Sequence, residues 1–400
     1  MLKVIFIGHR DLYFGAESVM LRVIRLLKNK GIAEPLVVLP KSSDDGFSAQ
    51  CKLMDIKPIK VARYKLIGGS LFRSVLCVIY NTVALLKLGL YFRKKKGNVV
   101  YTNTSVNIMG PMLSLFLNLP HLWHFHEQPT PGKYKWIQPG LFPFFRFLIN
   151  RKNTTVIFIS RTQKSLWEKE FGFQIRNSIV VYTPAGKIAE PAASVLPSSA
   201  VQFDLGSAAK NSSNILEKET VTFGFLGSWT PSKNLLSLLE AFAKLRTHYP
   251  QFKTRMVLMG AGELESELVS QINVLGLQNN VTLLPHSTEV LPFFNQLDVF
   301  VLPSWFESWG LAALEAIEQK KALILTSHSG LAEILVEHSD CLYTDPQHEG
   351  TLYRAMEYLL LHPDHRIDMA NHAYHTLQGL QLDTQFEQAI VSLFKQYEVP

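Results

Sequence analysis

The chain has 400 residues, 47% hydrophobic and 18% charged, a globular composition long enough for two domains that excludes a disordered or fibrous protein. Its formal charge of +7 hides an asymmetry, because the first 200 residues hold 28 basic and 10 acidic residues and the last 200 hold 12 and 23. Since an acidic half accompanies the basic one, the asymmetry favours an anionic membrane surface or a phosphorylated substrate over nucleic acid as the partner.

The first half alternates short apolar runs with helical patterns. The first run, residues 2–8, ends in a glycine, is too short for the core of a signal peptide and predicts a buried strand. Five further strands are predicted at residues 35–39, 98–102, 121–126, 155–159 and 178–182. Four helices are predicted near residues 17–30, 71–92, 141–150 and 161–170. This alternation predicts a parallel sheet with helices on both faces.

The segment 71–92 is apolar enough to need separate interpretation. Its 22 residues would span a bilayer, but Arg73, Asn81 and Lys87 interrupt it, and four basic residues, 93–96, follow it. These interruptions argue against a transmembrane helix and favour a buried crossover helix. An interfacial helix, with its Lys and Arg side chains reaching the water, is the remaining alternative.

Residues 184–220 are rich in Ala, Ser and Pro and lack periodicity, which predicts a linker between two domains. Beyond it, strands are predicted at residues 221–227, 255–259, 280–284, 298–302 and 322–326. Helices are predicted near residues 232–247, 263–275, 309–320, 330–337, 348–361, 364–378 and 384–397. The chain is therefore predicted to form two doubly wound α/β domains, residues 1–183 and 221–380, with residues 381–400 as a final helix.

In open α/β sheets ligands bind at the carboxyl ends of the strands, so the turns that follow strands are candidate sites. The first such turn of the second domain, from Gly227 to Lys233, places a lysine at the start of a helix, which suits a phosphate. A surface lysine after an ordinary turn is the alternative. The second turn, Gly260-Ala-Gly262, lacks the third glycine and the acidic residue of a dinucleotide site, so it favours tight packing beside a nucleotide over NAD binding.

The third turn carries two carboxylates. Glu307 precedes a predicted helix, and Glu315 lies eight residues further on, about 12 Å along that helix. The helix amides around Gly310 and Leu311 would then face a diphosphate, with Glu307 at a hexose and Glu315 at a ribose. The alternative is that Glu307 only caps the helix and that Glu315 is solvated. A fourth turn, residues 327–333, would complete the pocket wall but is nonspecific by itself.

The order of these turns resembles that of the retaining nucleotide-sugar glycosyltransferases of family 4, which have the GT-B fold of two Rossmann-like domains facing each other across a cleft. The resemblance rests on the E-x7-E spacing in FESWGLAALEA, the G-x5-K and G-x-G turns before it, and the small-residue loop with Glu333 after it. It implies that Glu307 contacts the donor sugar, Glu315 the ribose and Lys233 the diphosphate. It also implies that the last helix crosses back onto the first domain.

The first half is similar to the acceptor domain of that family. Phe14-Gly15-Ala16-Glu17 is similar to a Gly-Gly-Ala-Glu loop whose amides approach the donor phosphate and the acceptor. The segment 122–127 resembles a strand that ends in His-Glu and whose histidine points into the cleft. We assign that role to His126, since His124 lies two residues earlier on the same face. A purely structural histidine is the alternative.

The predicted site has two catalytic residues, His126 and Glu307. The predicted donor-binding residues lie on turns that face the cleft and are Gly15, Ala16, Gly227, Lys233, Gly260, His286, Ser308, Trp309, Gly310, Leu311 and Glu315. The chain departs from the family pattern in three places. Ser228 stands in place of an arginine, Phe14 in place of a glycine, and Tyr182-Thr-Pro-Ala-Gly186 in place of Asn-Gly. One charge contact to the diphosphate is therefore missing or comes from another residue.

The resemblance implies a retaining enzyme that moves a hexose-type sugar from a nucleoside diphosphate, UDP rather than GDP, to a membrane-associated glycan or lipid-linked acceptor. The expected setting is the synthesis of a cell-surface polysaccharide such as lipopolysaccharide or capsule. No Asp-x-Asp motif follows a strand, so we expect neither a metal ion nor a cofactor besides the donor, and a front-face reaction in which the leaving phosphate takes the acceptor proton. A nucleotide-sugar epimerase of the same fold and a non-catalytic nucleotide-sugar-binding protein are the alternatives.

The cysteines and the charges also predict where the protein acts. Cys51, Cys77 and Cys341 are far apart and form no Cys-x-x-Cys pair, which favours a reducing cytoplasm over a disulfide framework or a zinc site. The change from the basic to the acidic half falls in the predicted linker, so the acceptor domain is the cationic one. We therefore expect a cytoplasmic protein held at the inner face of an anionic membrane, with residues 93–96 as a contact.

Overall fold

A computed structural model describes residues 1–11, 13–42, 45–61, 71–129, 142–185 and 220–398. Within these ranges the chain forms two parallel sheets, each packed between helices. The prediction of an α/β fold with two doubly wound domains is therefore confirmed. Most of the predicted linker, residues 186–219, lies outside the described ranges.

The first sheet has seven parallel strands in the order β3-β2-β1-β4-β5-β6-β7. Its strands are β1 (Leu2–Ile7), β2 (Ala33–Pro40), β3 (Ile59–Val61), β4 (Val99–Asn103), β5 (His121–Phe125), β6 (Thr154–Phe158) and β7 (Ser178–Val180). Its helices are α1 (Gly15–Asn29), α2 (Gly46–Lys52), α3 (Leu71–Lys95), α4 (Met109–Leu117), α5 (Phe142–Ile149) and α6 (Arg161–Phe171). The strand order reverses between β1 and β4, so a crevice opens there at the carboxyl ends of the strands.

The second sheet has six parallel strands in the order β10-β9-β8-β11-β12-β13. Its strands are β8 (Val221–Ser228), β9 (Thr254–Ala261), β10 (Val281–Pro285), β11 (Val299–Leu302), β12 (Ala322–Thr326) and β13 (Leu342–Thr344). Its helices are α7 (Leu235–His248), α8 (Glu265–Val274), α9 (Leu291–Asn295), α10 (Leu311–Glu318), α11 (Thr351–Leu361) and α12 (Pro363–Leu380). Because β8 and β11 are neighbours, the turns after them meet at the switch point of this sheet.

The predicted helix at residues 330–337 is wrong. Only a short 3₁₀ turn, Gly330–Glu333, forms there. Further along, the Asp340 carboxylate accepts a hydrogen bond from the Val336 N–H (3.0 Å), so a side chain takes the backbone donor that a helix would use. The elements α2, α4, α9, β3 and β13 were not predicted, and each has nine residues or fewer.

Helix α3 covers the first sheet with one of its two apolar faces. Ala84, Leu88 and Phe92 are buried in the core that β1, β2 and β4 share with α4. The opposite face of α3 is exposed. The inner face of α3 is therefore buried, as predicted for a crossover helix. The alternative of an interfacial helix applies to its exposed outer face. Among the described helices, none combines the length and the hydropathy needed to cross a membrane.

The last helix, α13 (Leu382–Lys395), connects the second domain back to the first. Phe386, Ile390 and Phe394 are buried in the core of the first sheet, on the face that α1 also covers. Arg22 on α1 donates a hydrogen bond to the Asp383 carboxylate (3.2 Å) at the start of α13. This helix therefore packs on one domain although it follows the other along the chain.

Candidate active site

The carboxyl ends of the two sheets face each other, and the segment after β11 contacts the first domain directly. Three hydrogen bonds join the domains there: Gln128 Nε2 to Glu307 O (2.8 Å), Ser160 Oγ to Ser308 O (3.0 Å) and Trp309 Nε1 to Thr183 O (2.6 Å). On the second-domain side, the three bonding groups belong to the consecutive residues 307–309. These hydrogen bonds fix the position of this segment against the first domain. The domains are therefore in contact at the turn that carries the first predicted glutamate.

Glu307 lies between the two domains and is paired with Lys233. Lys233 Nζ donates to Glu307 Oε2 (2.6 Å), and Ser304 Oγ lies 3.5 Å from the same oxygen. The Glu307 N–H donates to His328 O (3.1 Å), which holds the backbone of the turn against the loop after β12. Because β8 and β11 are adjacent, residues 74 positions apart meet as an ion pair.

The side chain of Glu307 does not cap the helix that follows it. Helix α10 has Gly310 at its N-cap, with a φ of 102°, and no side chain of the described residues caps its first turn. The capping alternative for Glu307 is therefore excluded. Because the N-cap is a glycine, the first N–H groups of α10, at Leu311 and the next residue, are left for an external acceptor such as a phosphate.

The loop before α1 packs against this helix end from the other domain. A Cβ on Gly15 would lie 3.3 Å from Leu311 Cδ1, closer than an ordinary van der Waals contact, so the backbone at Gly15 packs tightly on Leu311. The Phe14 ring lies 4.8 Å from the His286 ring, measured between centroids, so two more predicted positions meet across the cleft. The structure thus brings the predicted loop Phe14-Gly15-Ala16-Glu17 next to α10 and the turn after β10.

Glu315 is the fifth residue of α10 and is half-buried. Burial, and secondarily the nearby Glu318 carboxylate, raise the pKa of the Glu315 carboxyl to about 7. The charge of the Arg22 guanidinium opposes this shift and lowers the pKa of Glu315 in part. The second predicted glutamate is therefore not a solvated residue, since its environment keeps part of it protonated at neutral pH.

Two predicted glycines are required by backbone packing. A Cβ on Gly260 would lie 1.9 Å from Gly227 O, and a Cβ on Gly262 would lie 2.3 Å from Trp229 O. The turns after β8 and β9 therefore approach each other too closely for any side chain. This observation fits the prediction of tight packing and assigns Gly260 a structural reason for its identity.

Trp309 also differs from its predicted role. Its indole is buried, stacks on the Tyr182 ring with centroids 4.9 Å apart and donates to Thr183 O. The side chain is thus occupied by the contact between the domains, which leaves only its backbone for a donor. The Tyr182-Thr-Pro segment, noted as a departure from the family pattern, supplies this stacking surface.

His126 follows β5 and is held by an amide. Its Nε2 lies 2.8 Å from Asn103 Oδ1, while Asn103 Nδ2 donates to Ala16 O (3.1 Å). Since the amide nitrogen is committed as a donor, its oxygen accepts, and His126 Nε2 carries the proton. Burial lowers the pKa of His126 to about 3, so the ring is neutral and Nδ1 is its acceptor.

His124 has a different environment, although it lies on the same face of β5. It is fully buried, and its Nδ1 lies 2.5 Å from the Tyr101 hydroxyl inside the first domain. Burial lowers its pKa well below the ordinary value. His124 therefore belongs to the core beneath the site, and its ring supports that of His126 at 4.2 Å between centroids.

His9 and Arg10, which follow β1, were not predicted to have a role, and both contact Glu17 of the predicted loop. Glu17 is buried, and its Oε1 accepts a hydrogen bond from Arg10 Nε (3.3 Å) and lies 3.2 Å from His9 Nδ1. Burial, followed by the charge of Arg10 and the nearby His126, lowers the pKa of His9 to about 3. His9 and Arg10 directly follow Gly8 at a strand end, the same signal that located the turns of the second domain, so the pattern could have identified them.

Glu333 joins the domains instead of lining a pocket. Its carboxylate accepts hydrogen bonds from the N–H groups of Arg161 (3.0 Å) and Thr162 (2.5 Å), the first residues of α6, and from the Tyr182 hydroxyl (2.8 Å). A carboxylate of one domain thus caps a helix of the other. Glu333, the last residue of the fourth turn, therefore contributes to the contact between the domains, while the pocket wall expected from residues 327–333 stays a prediction.

Comparison with known proteins identifies a family model that matches the second domain and relatives that match about a third of the chain. Residues 208–376 match the family model described as Glycosyl transferases group 1. A D-inositol 3-phosphate glycosyltransferase of Pseudarthrobacter chlorophenolicus is 32% identical over 140 residues, 34% of this chain and 33% of that protein. An N-acetylgalactosamine-N,N'-diacetylbacillosaminyl-diphospho-undecaprenol 4-alpha-N-acetylgalactosaminyltransferase of Campylobacter jejuni is 25% identical over 136 residues, 34% of this chain and 36% of that protein. The matches thus span about a third of the length of these relatives.

Solved structures resemble the whole chain. Alr3699/HepE of Anabaena, in complex with UDP and glucose, has a TM-score of 0.75 at 17% identity over 98% of this chain and 99% of that one. The sucrose-phosphate synthase of Thermosynechococcus elongatus has a TM-score of 0.75 at 14% identity over 99% of both chains. Likeness at this level of identity establishes the fold, and it confirms the predicted GT-B arrangement of two domains.

Proposed function

We propose that this chain, whose second domain belongs to the glycosyl transferases group 1 family, transfers a hexose-type sugar from a nucleoside diphosphate sugar to a membrane-associated glycan or lipid-linked acceptor. The observation that carries this proposal is the Lys233–Glu307 pair beside the uncapped end of α10. This arrangement offers a cation and free N–H groups to a diphosphate and a carboxylate to sugar hydroxyls within one cleft.

Donor binding would exchange the partners of this ion pair. The ammonium of Lys233 turns to the diphosphate, and the Glu307 oxygens then accept hydrogen bonds from the sugar hydroxyls. In the empty site, Lys233 thus neutralises the charge of Glu307. When a donor binds, its diphosphate takes over Lys233, and the Glu307 carboxylate becomes available to the sugar. Glu315, further along α10, would accept the ribose hydroxyls. UDP is favoured over GDP because the Anabaena structures of similar fold hold UDP, glucose and UDP-glucose.

The proposed reaction retains the anomeric configuration without a metal ion or a protein nucleophile. The bond between the anomeric carbon and the diphosphate oxygen breaks, the acceptor oxygen bonds to that carbon from the same face, and the acceptor proton passes to the leaving phosphate. Lys233 and the amides of α10 stabilise the charge on that phosphate. His126, neutral and protonated on Nε2, presents Nδ1 as an acceptor for a donor-sugar hydroxyl.

Arg10 would supply the diphosphate charge that is absent at Ser228. Its side chain is 43% exposed at the carboxyl end of β1, and its guanidinium lies 5.1 Å from the centre of the Phe14 ring. Phe14 in turn contacts His286 across the cleft. Arg10 therefore lies on the first-domain wall of the donor site, where Glu17 orients it.

In this proposal residues 1–183 bind the acceptor and residues 221–380 bind the donor. The acceptor domain is the cationic one, which suits a carrier with phosphate groups at the inner face of an anionic membrane. The Campylobacter relative, named for a diphospho-undecaprenol acceptor, supports a lipid-linked acceptor and a role in cell-surface polysaccharide synthesis.

The test is the release of UDP from UDP-sugars in the presence of glycan and lipid-diphosphate acceptors. Wild-type protein should release UDP only when an acceptor is present, whereas an epimerase would convert the donor alone and a binding protein would release none. Glu307→Gln should lower kcat at least about a hundredfold, because the variant loses the charge that stabilises the reacting sugar. Glu267→Gln, at an exposed position on α8, is the control and should turn over normally. Normal turnover of Glu307→Gln would refute the site.

A further inference from the structure

One face of the first domain has an unusual concentration of exposed apolar side chains. Helices α3, α4 and α5 cover the same side of the first sheet, because α3 packs on α4 and Met112 of α4 packs on the core that contains α5. We call their exposed outer surface the α3–α5 face. Its exposed large hydrophobic side chains are Ile79, Tyr80, Val83, Leu86, Leu90, Tyr91, Leu115, Phe144 and Phe147. In the rest of the described chain such residues are scattered.

The side chains on α3 form a continuous stripe. Ile79, Val83, Leu86 and Leu90 follow one another at spacings of four, three and four residues, which places them on one face of a helix over about 16 Å. They are 52%, 44%, 48% and 59% exposed, respectively. The opposite face of α3 is already buried against the sheet. A helix on the surface of a globular protein is normally polar on its outer face, so this stripe indicates a partner.

The charges around the stripe are of one sign. Residues 56–167 contain 17 Lys and Arg and a single acidic residue, Glu127. Helices α3, α4 and α5 contain no Asp or Glu at all. Lys87 lies along the stripe, and three basic residues form the last turn of α3. The face therefore combines apolar side chains with cations that have no anionic neighbours on these helices, which suits anionic phospholipid.

We propose that the α3–α5 face binds the surface of an anionic lipid bilayer. The apolar stripe enters the boundary between headgroups and acyl chains, and the basic end of α3 contacts lipid phosphates. A second copy of the chain is a poorer occupant, because two faces of the same positive charge repel each other. The biological purpose rests on the proposed function, since a bilayer bound to the first domain would hold the protein at the surface where a membrane-held acceptor lies.

The test is co-sedimentation of the full chain with vesicles of phosphatidylcholine and phosphatidylglycerol in equal parts, compared with pure phosphatidylcholine. Wild-type protein should bind the anionic vesicles and bind less as salt is added. The double variant Leu86→Asn/Leu90→Asn should lower the partition coefficient at least about tenfold. The triple variant Lys94→Gln/Lys95→Gln/Lys96→Gln should lower it about a hundredfold, since each cation near an anionic surface contributes about fivefold.

A matched control removes an exposed apolar side chain elsewhere. Val274→Asn, at a 76% exposed position at the end of α8 in the second domain, should bind vesicles like wild type. Circular dichroism melts of all variants should coincide, because the substituted side chains are exposed. The proposal is overturned if wild type does not pellet, if it pellets equally with pure phosphatidylcholine, or if Val274→Asn loses as much binding as the stripe variant. A concentration-dependent dimer that Leu86→Asn/Leu90→Asn abolishes without vesicles would assign the face to self-association and overturn it too.

A measurement of UDP binding without vesicles separates this proposal from the proposed function. Thermal stabilisation by UDP should be the same in wild type and in the stripe variant, because the stripe lies outside the cleft. Vesicle binding with normal turnover of Glu307→Gln would leave the α3–α5 face standing and remove the transferase site. Loss of turnover in Glu307→Gln without vesicle binding by wild type would do the reverse.

Discussion

Replacement of Glu315 by glutamine should stabilise the empty protein and weaken its binding to UDP. Burial raises the pKa of this carboxyl from its ordinary value of 4.5 to about 7. A carboxyl that holds its proton more tightly in the folded chain than in the unfolded chain makes folding less favourable as pH rises between these two values. Above about pH 7 the full cost applies, and it amounts to about 3 kcal/mol.

The measurement is urea unfolding of wild type and Glu315→Gln at pH 5 and pH 8. Glutamine cannot ionise, so the variant lacks the cost and should be more stable at pH 8, by up to about 3 kcal/mol. At pH 5 the difference should shrink by about 2 kcal/mol, because the wild-type carboxyl is then protonated in the folded chain. Comparing the variant with wild type at each pH cancels the titration of the histidines.

The second half of the prediction concerns the ligand. Ribose hydroxyls donate to a carboxylate, so UDP binding should favour the ionised form and tighten as pH rises through about 7 in wild type. Glu315→Gln should weaken UDP binding about tenfold or more by calorimetry and remove that pH dependence. A variant that is no more stable at pH 8, or whose gain is the same at pH 5, would contradict the burial argument. Unchanged UDP affinity would contradict the ribose assignment.

Three further substitutions test separate contacts of the site. Lys233→Met should weaken UDP binding about tenfold to a hundredfold while leaving the much weaker binding of uridine unchanged, because only the diphosphate faces the ammonium; equal losses for both ligands in calorimetry would contradict this role. Asn103→Ala should remove the acceptor that keeps the His126 proton on Nε2 and lower kcat about tenfold at constant KM. Nitrogen NMR shifts should show the proton on Nε2 in wild type and a mixture of the two tautomers in the variant. An unchanged tautomer would refute the positioning role of Asn103. Glu333→Ala should lower the free energy of unfolding by about 1 to 2 kcal/mol and increase the radius of gyration in X-ray scattering, since it removes the carboxylate that joins the first two N–H groups of α6 to the second domain. An unchanged radius would show that the contact between the domains does not depend on Glu333.

Local patterns were sufficient for much of the fold. Strands that are buried on both faces appear in the sequence as unbroken apolar runs, as in residues 2–8 and 298–302, and amphipathic helices between them follow a period of 3.6. Short elements such as α2 and β13 were not predicted, because a few residues are too short a segment to show a period. The helix predicted at residues 330–337 failed because the Asp340 side chain takes the Val336 N–H, a contact that no periodicity reveals.

The candidate site depended on both levels. Turns at strand ends located Glu307, Lys233 and the loop before α1, since those positions follow from strand boundaries alone. The order of the strands, which sequence periodicity does not contain, decided that the turns after β8 and β11 meet and form the ion pair. The sequence favoured His126 over His124, and the structure supplied the partners of each ring: the Tyr101 hydroxyl for His124 and the Asn103 amide for His126.

What the sequence by itself determined is the alternation of elements, the position of the turns and the sign of the charge on each half, because these depend on neighbours along the chain. Tertiary structure alone decided that Glu333 joins the domains, that Glu315 is half-buried with a raised pKa, and that the outer side of α3 is exposed while its inner side is covered. The physical reason is that burial and pairing depend on residues distant in sequence, so the same apolar helix and the same carboxylate acquire their properties only from what packs against them.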